Sequence, residues 1–167
     1  MMRARQKSPT AESREYKFLL RSVIEEGQFT FRRMDLTDPI ASEVAYLMAT
    51  AHSLLGELGE GIKLLEQVIG AQPTLPGGYV AMALLYRRDK ETVKAIDTID
   101  HALNRVSVPS AELYYTAAMT YLDKGQLETA QNYAVQAYKL GYPLPGLQRK
   151  LAKLGYWPPK TEALDEQ

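Results

Sequence analysis

Small residues recur along this chain at a nearly constant interval, and that recurrence limits the fold more than any other feature. Ala49, Ala83 and Ala118 are spaced 34 and then 35 residues apart. Gly61, Ala95 and Ala130 repeat the same two intervals. Two independent markers with one spacing argue for an array of similar units, each stabilised by stacking on its neighbours. Within a window, the spacing is helical. Tyr114, Ala117, Ala118 and Tyr121 fall at i, i+3, i+4 and i+7, which is one face of a helix. After a break at Lys124-Gly125, Ala130, Ala134, Ala137 and Tyr138 repeat the spacing for a second helix. A glycine at such a break can supply the left-handed residue that ends a helix. Each window is therefore expected to be a helical hairpin. Its small residues let two helices approach, while Leu65, Tyr86, Ile99 and Tyr121 fill the space between neighbouring hairpins.

The pattern resembles the tetratricopeptide repeat, a hairpin of about 34 residues with small residues at set positions of both helices. The resemblance covers residues 42–144 as three repeats, 42–75, 76–109 and 111–144. It implies an all-α fold, a right-handed superhelix of three hairpins with an N-terminal helix and a C-terminal capping helix. The departures are local. His52 stands at a usual tyrosine position, Lys90 at the inter-helix glycine and Ser107 at the terminal proline, and Val108-Pro109-Ser110 absorbs one extra residue.

Before the repeats, residues 1–11 are expected to be disordered and residues 12–41 to form a helix and a linker. Tyr16, Leu19, Leu20, Val23 and Ile24 share a helical face, Gly27 reads as the stop, and Phe29 and Phe31 are expected to seal the core beneath the linker. Asp38-Pro39 reads as a cap and first-turn proline for the next helix. After the repeats, residues 145–157 should form a capping helix that buries Leu147, Leu151 and Leu154, with Arg149, Lys150 and Lys153 solvated. Trp157 is expected to fold back on this cap, and residues 158–167 to form a flexible tail.

Charge and composition narrow the function. The chain has 167 residues, 20 basic and 20 acidic. A protein that holds nucleic acid by its phosphates normally carries a basic excess or stripe, and the even balance argues against that class. The same holds for a polybasic membrane-surface role. There is no cysteine, so disulfides, thiolate metal sites and cysteine nucleophiles are excluded. The basic N-terminus runs into polar residues with no apolar core of a signal sequence, and no stretch of about 18 apolar residues could span a bilayer. A cytoplasmic protein is expected.

No motif for chemistry emerges. His52 reads as a core histidine. Asp97 and His101 at i, i+4 could meet on a helix surface but offer too few ligands for a metal. The Gly-rich run at 56–61 lacks phosphate-loop spacing and a preceding strand, and reads as an inter-helix turn. The expectation is a non-catalytic protein without metal or cofactor.

The resemblance implies where a partner would bind, because the first helices of successive tetratricopeptide repeats line a concave groove. The groove positions would be Tyr46 and Thr50, with Glu43 and Ser53; Val80, Leu84 and Arg87; and Tyr115, Met119 and Leu122, with Glu112. Relatives that grip the C-terminal carboxylate of heat-shock proteins carry Lys, Asn and Arg there. Here the matching positions hold Tyr46, Thr50, Ala81, Glu112 and Thr116, so the clamp is missing. An apolar and aromatic groove would bind an extended or helical peptide through buried side chains. The length, the N-terminal helix and linker and the three repeats are also similar to class II chaperones of bacterial type III secretion translocators. The competing readings are a scaffold that self-assembles, including a homodimer through the N-terminal helix or repeat surface, and an RNA-binding helical repeat. The apolar groove argues against the last.

Overall fold

Helices form all the regular structure among residues 9–159, which the computed structural model describes, with side chains from residue 13. They are α1 (Pro9–Phe31), α2 (Ile40–Leu54), α3 (Leu58–Ala71), α4 (Gly77–Arg88), α5 (Thr92–Arg105), α6 (Ala111–Asp123), α7 (Leu127–Lys139) and α8 (Gly146–Lys153). The expected all-α fold is found, and the helices after α1 pair as the three expected hairpins, α2–α3, α4–α5 and α6–α7. The chain divides into two compact units, Met1–Gln72 and Pro73–Gln167.

The hairpin turns share one geometry. Gly56, Lys90 and Gly125 all have positive φ, at 81°, 62° and 81°. The amide after each reaches back to a carbonyl five residues earlier: Glu57 to His52 at 2.8 Å, Glu91 to Tyr86 at 2.9 Å and Gln126 to Tyr121 at 2.9 Å. These are Schellman closures, which satisfy the last carbonyls of the first helix. The turn residues recur at 34 and 35, like the small residues. Lysine at position 90 does not change the turn; it adopts the left-handed backbone that glycine takes at the other two.

Small residues decide how closely the hairpin helices pack. Ala49, Ala83 and Ala118, with Ala95 and Ala130, are fully buried. At Gly61 the approach is closest. A Cβ built there would lie 2.8 Å from the Ala49 carbonyl oxygen and 2.9 Å from its Cα. That space belongs to backbone, which cannot rotate away.

In the N-terminal unit, α1 packs on α2 through Leu20, Ile24 and Ala51, with Leu55 beside them. It does not stop at Gly27. The helix runs four residues further, and Gly27 makes room for a neighbour instead, since a Cβ there would overlap the Met48 side chain at 2.4 Å. The two phenylalanines part company. Phe31 is buried, whereas Phe29 is exposed and carries the Arg33 guanidinium 3.6 Å above its ring. Arg21 of α1 pairs with Glu57 at the α2–α3 turn, and the buried His52 ring shares that carboxylate at 3.0 Å. The guanidinium, and then the imidazole, hold Glu57 below the usual carboxylate range. Ahead of α2, Asp38 Oδ1 accepts the Ile40 amide at 2.9 Å, with Pro39 between them. The buried Gln72 side chain donates to the Leu36 carbonyl, and to that of Asp38 at 2.9 Å, which ties the 32–39 loop to the end of α3.

In the C-terminal unit, α6 packs against both helices of the preceding hairpin, α4 and α5, and against α7. Ser110 caps it, its hydroxyl accepting the Leu113 amide at 3.1 Å. α8 closes on α6 and α7 with Leu147 and Leu151 fully buried. Burial of that kind is worth about 1.5–3 kcal/mol per leucine. Leu154, expected on the same face, lies just past the helix end and is exposed. Arg149, Lys150 and Lys153 face solvent. The Trp157 ring lies 5.5 Å from that of Tyr138 on α7, whose hydroxyl accepts the Gln148 amide of the cap at 3.3 Å. Of the expected disordered N-terminus, residues 9–11 are already helical and residues 1–8 lie outside the described residues, as do residues 160–167 of the expected tail.

Two substitutions test these contacts by reversible chemical denaturation. Lys90→Gly should stabilise the protein by about 1 kcal/mol, because a side chain in left-handed backbone costs about that much. Gly61→Ala should destabilise by about 1–3 kcal/mol through overpacking. Gly59→Ala in the same helix meets open space and should be neutral or stabilising by up to about 1 kcal/mol.

Candidate protein-interaction surface

The residues expected to line the groove occupy three sets of equivalent positions: Tyr46, Val80 and Tyr115; Thr50, Leu84 and Met119; Ser53, Arg87 and Leu122. Tyr46 and Thr50 lie on α2 in the N-terminal unit. Tyr46 is half-buried, and the Thr50 hydroxyl is buried with no hydrogen-bond partner among the described residues. Ser53 also lies on α2, and the other six lie on α4 and α6, which are neighbours in the C-terminal unit.

On α4 and α6 these six side chains differ in what they can offer. Val80 is 4% exposed and belongs to the core. Leu84, Met119 and Leu122 are half-buried, so each keeps apolar surface in reach of a partner. Arg87 donates from Nε to Asp123 Oδ2 at 2.8 Å, an ion pair that joins the two helices at one end of this face. Arg87 is therefore positioned by a side chain of the next hairpin. Tyr115 lies flat against Tyr142, with ring centroids 3.9 Å apart and planes 17° apart. The turn after α7 thus covers much of the Tyr115 ring, and the aromatic contact continues from Tyr142 to Tyr138 at 6.5 Å. Of the positions matching the heat-shock clamp, Ala81 and Thr116 are buried.

A second aromatic cluster joins α6 to α7. Tyr133 stacks between Tyr114 at 6.1 Å and Tyr121 at 5.4 Å. The Tyr121 hydroxyl donates to Asp100 Oδ1 at 2.5 Å, joining α6 to α5. Burial, and then the Asp100 carboxylate, push the Tyr121 phenol well above its ordinary range. Burial also raises Tyr133, Tyr138 and Tyr142. His101, expected beside Asp97, instead packs 5.6 Å from the Tyr79 ring. Among the described residues there is no group of three or more His, Cys, Asp or Glu side chains that could hold a metal ion. No described helix is long and apolar enough to cross a membrane.

One apolar surface escaped the sequence reading. Between α1 and α2 runs a groove of about 500 Å³ lined by Leu19, Val23, Val44, Leu47 and Met48, with Glu26 on its edge. The signal for it was present in the repeat register. Position 47 is leucine where the later repeats hold Ala81 and Thr116.

Residues 111–140, spanning α6 and α7, match the profile of the tetratricopeptide repeat family. The third hairpin is a tetratricopeptide repeat, and the other two reproduce its turn and its small-residue contacts at the same register. No curated protein and no solved structure matches the chain.

The raised phenols set an alkaline limit. A folded-state pKa above the unfolded value near ~10 means that the neutral phenol is favoured in the fold. The stabilisation is complete below that value and is lost as pH rises above it. Tyrosinate absorbance should show a subset of the 11 tyrosines titrating late and together with unfolding. Tyr121→Phe should lose about 1 kcal/mol at neutral pH and show a flatter alkaline decline.

Proposed function

We propose that this chain is a non-catalytic protein-interaction module, an adaptor or chaperone, that holds a partner peptide on the first helices of its hairpins. Tetratricopeptide repeats generally serve as such modules, and the third hairpin is one. The observation that carries the residue-level reading is the α4–α6 face. Leu84, Met119 and Leu122 keep part of their apolar surface exposed there, beside an Arg87–Asp123 pair that holds the two helices in register. Side chains anchored on rigid helices with some apolar surface free suit a peptide that inserts its own apolar residues. Tyr46 and Thr50 stand at the equivalent positions of the first hairpin and are proposed, on register, as partner contacts of the N-terminal unit. Tyr115 and Val80 would act mainly by supporting this surface, the first under Tyr142 and the second within the core.

The finer reading, a chaperone of the class II secretion type, is supported by architecture. A long N-terminal helix and a short loop precede three hairpins and a cap. The self-assembling scaffold is the alternative. It requires association that rises with concentration, so light scattering that gives one monomer mass over a wide concentration range would remove it.

Affinity capture with the full chain, comparing wild type with Leu84→Glu and Met119→Glu, tests the face. Both side chains are partly exposed, so circular dichroism should report an unchanged fold. A partner retained by the wild type should bind each variant at least about tenfold more weakly, the loss of about 1.4 kcal/mol or more expected of an anchor residue. Retention by both variants at wild-type affinity would mean that the partner sits elsewhere.

A further inference from the structure

The groove between α1 and α2 is lined by α2 residues whose equivalents on α6 are buried. In the third hairpin, α6 is packed by both helices of the hairpin before it, α4 and α5. Its residues Leu113, Thr116 and Ala117 are 0%, 2% and 0% exposed. The equivalent residues of α2 are Val44, Leu47 and Met48, 69 positions earlier, the sum of the 34 and 35 intervals. There α1 stands alone before the hairpin. It covers Met48 through the close approach at Gly27, yet Leu47 remains 61% exposed and Val44 is only half-buried. Along α2 the exposed apolar residues Ile40, Leu47 and Leu54 recur every seven residues. A stripe of that period runs nearly parallel to the helix axis, the form of contact that a neighbouring helix makes.

Charge completes the description of what fits. Glu26 edges the groove on α1, and Glu43 lies one turn before Leu47 on the exposed side of α2. Among the described residues neither carboxylate has a side-chain partner, and no Lys or Arg lines the groove. We propose that the α1–α2 groove, uncovered among the described residues, is a helix seat, which takes an amphipathic helix of a partner protein with an apolar ridge flanked by lysine or arginine. The ridge meets Leu19, Val23 and Leu47, and the basic flanks meet Glu26 and Glu43. This seat uses none of the residues of the α4–α6 face, so either can fail without the other.

The probe is a synthetic helix built on Gly77–Arg88, a segment that packs on α6, acetylated, amidated and flanked by lysine pairs. Its twin carries glutamate pairs instead. Binding to the full chain is read by fluorescence anisotropy at two salt concentrations. The lysine-flanked helix should bind saturably, and at least about tenfold more tightly than its twin at low salt, because mismatched flanking charge is repelled. Leu47→Glu should weaken it by about tenfold or more. The exposure of Leu47 leaves the fold intact, which circular dichroism verifies. The Glu26→Gln, Glu43→Gln double variant should weaken it by about threefold and remove most of the salt dependence. No saturable binding, equal binding of both probes, or binding indifferent to Leu47→Glu would each overturn the proposal. A concentration-dependent dimer of the chain alone that Leu47→Glu dissociates would also overturn it, by making the occupant a second copy.

Discussion

Contact between small residues on paired helices is the constraint from which the rest follows. Where Gly61 meets the Ala49 backbone, no atom larger than hydrogen fits between the helices. Buried alanines hold the equivalent places in the later hairpins. Helices that approach this closely leave little room for adjustment, so each hairpin behaves as a nearly fixed unit. The turns must then reverse the chain within a few residues. They do so through a left-handed residue and a five-residue backbone closure at Gly56, Lys90 and Gly125. Lys90 shows that geometry prevails over residue preference at this point. The packing of α4 on α5 dictates the turn, and the lysine accepts a strained backbone to make it.

Rigid hairpins turn function into a question of which side chains remain uncovered. On α4 and α6, neighbouring elements have covered Val80 and most of Tyr115, while leaving surface on Leu84, Met119 and Leu122. The Arg87–Asp123 pair joins α4 to α6 beside those side chains, and the tyrosine cluster joins α6 to α7. On α1 and α2 the same logic leaves Leu47 exposed, because one helix stands where the third hairpin has two. In an array of this kind every repeat completes its packing with help from a neighbour, and the exposed face of α2 is what that contact would otherwise cover.

The repeat register was legible because it depends on residue size alone. Small residues at fixed intervals can be read without coordinates, and so can glycine at two of the three turns. The N-terminal helix was also legible, but its end was not. Gly27 carries the mark of a helix stop, yet it serves as a gap for Met48, a contact between residues far apart in the chain. Phe29 and Phe31 likewise look alike in sequence. The helix simply continues past Gly27, and two residues of rotation put one inside and one outside.

By itself, the sequence determined the number of hairpins, their register and the lack of cysteine chemistry, since these follow from residue type and spacing. Tertiary structure alone decided which apolar residues stay accessible. Exposure is a property of neighbours: the turn that lays Tyr142 on Tyr115 and the single helix that leaves Leu47 bare are contacts between elements, and spacing within one element does not encode them.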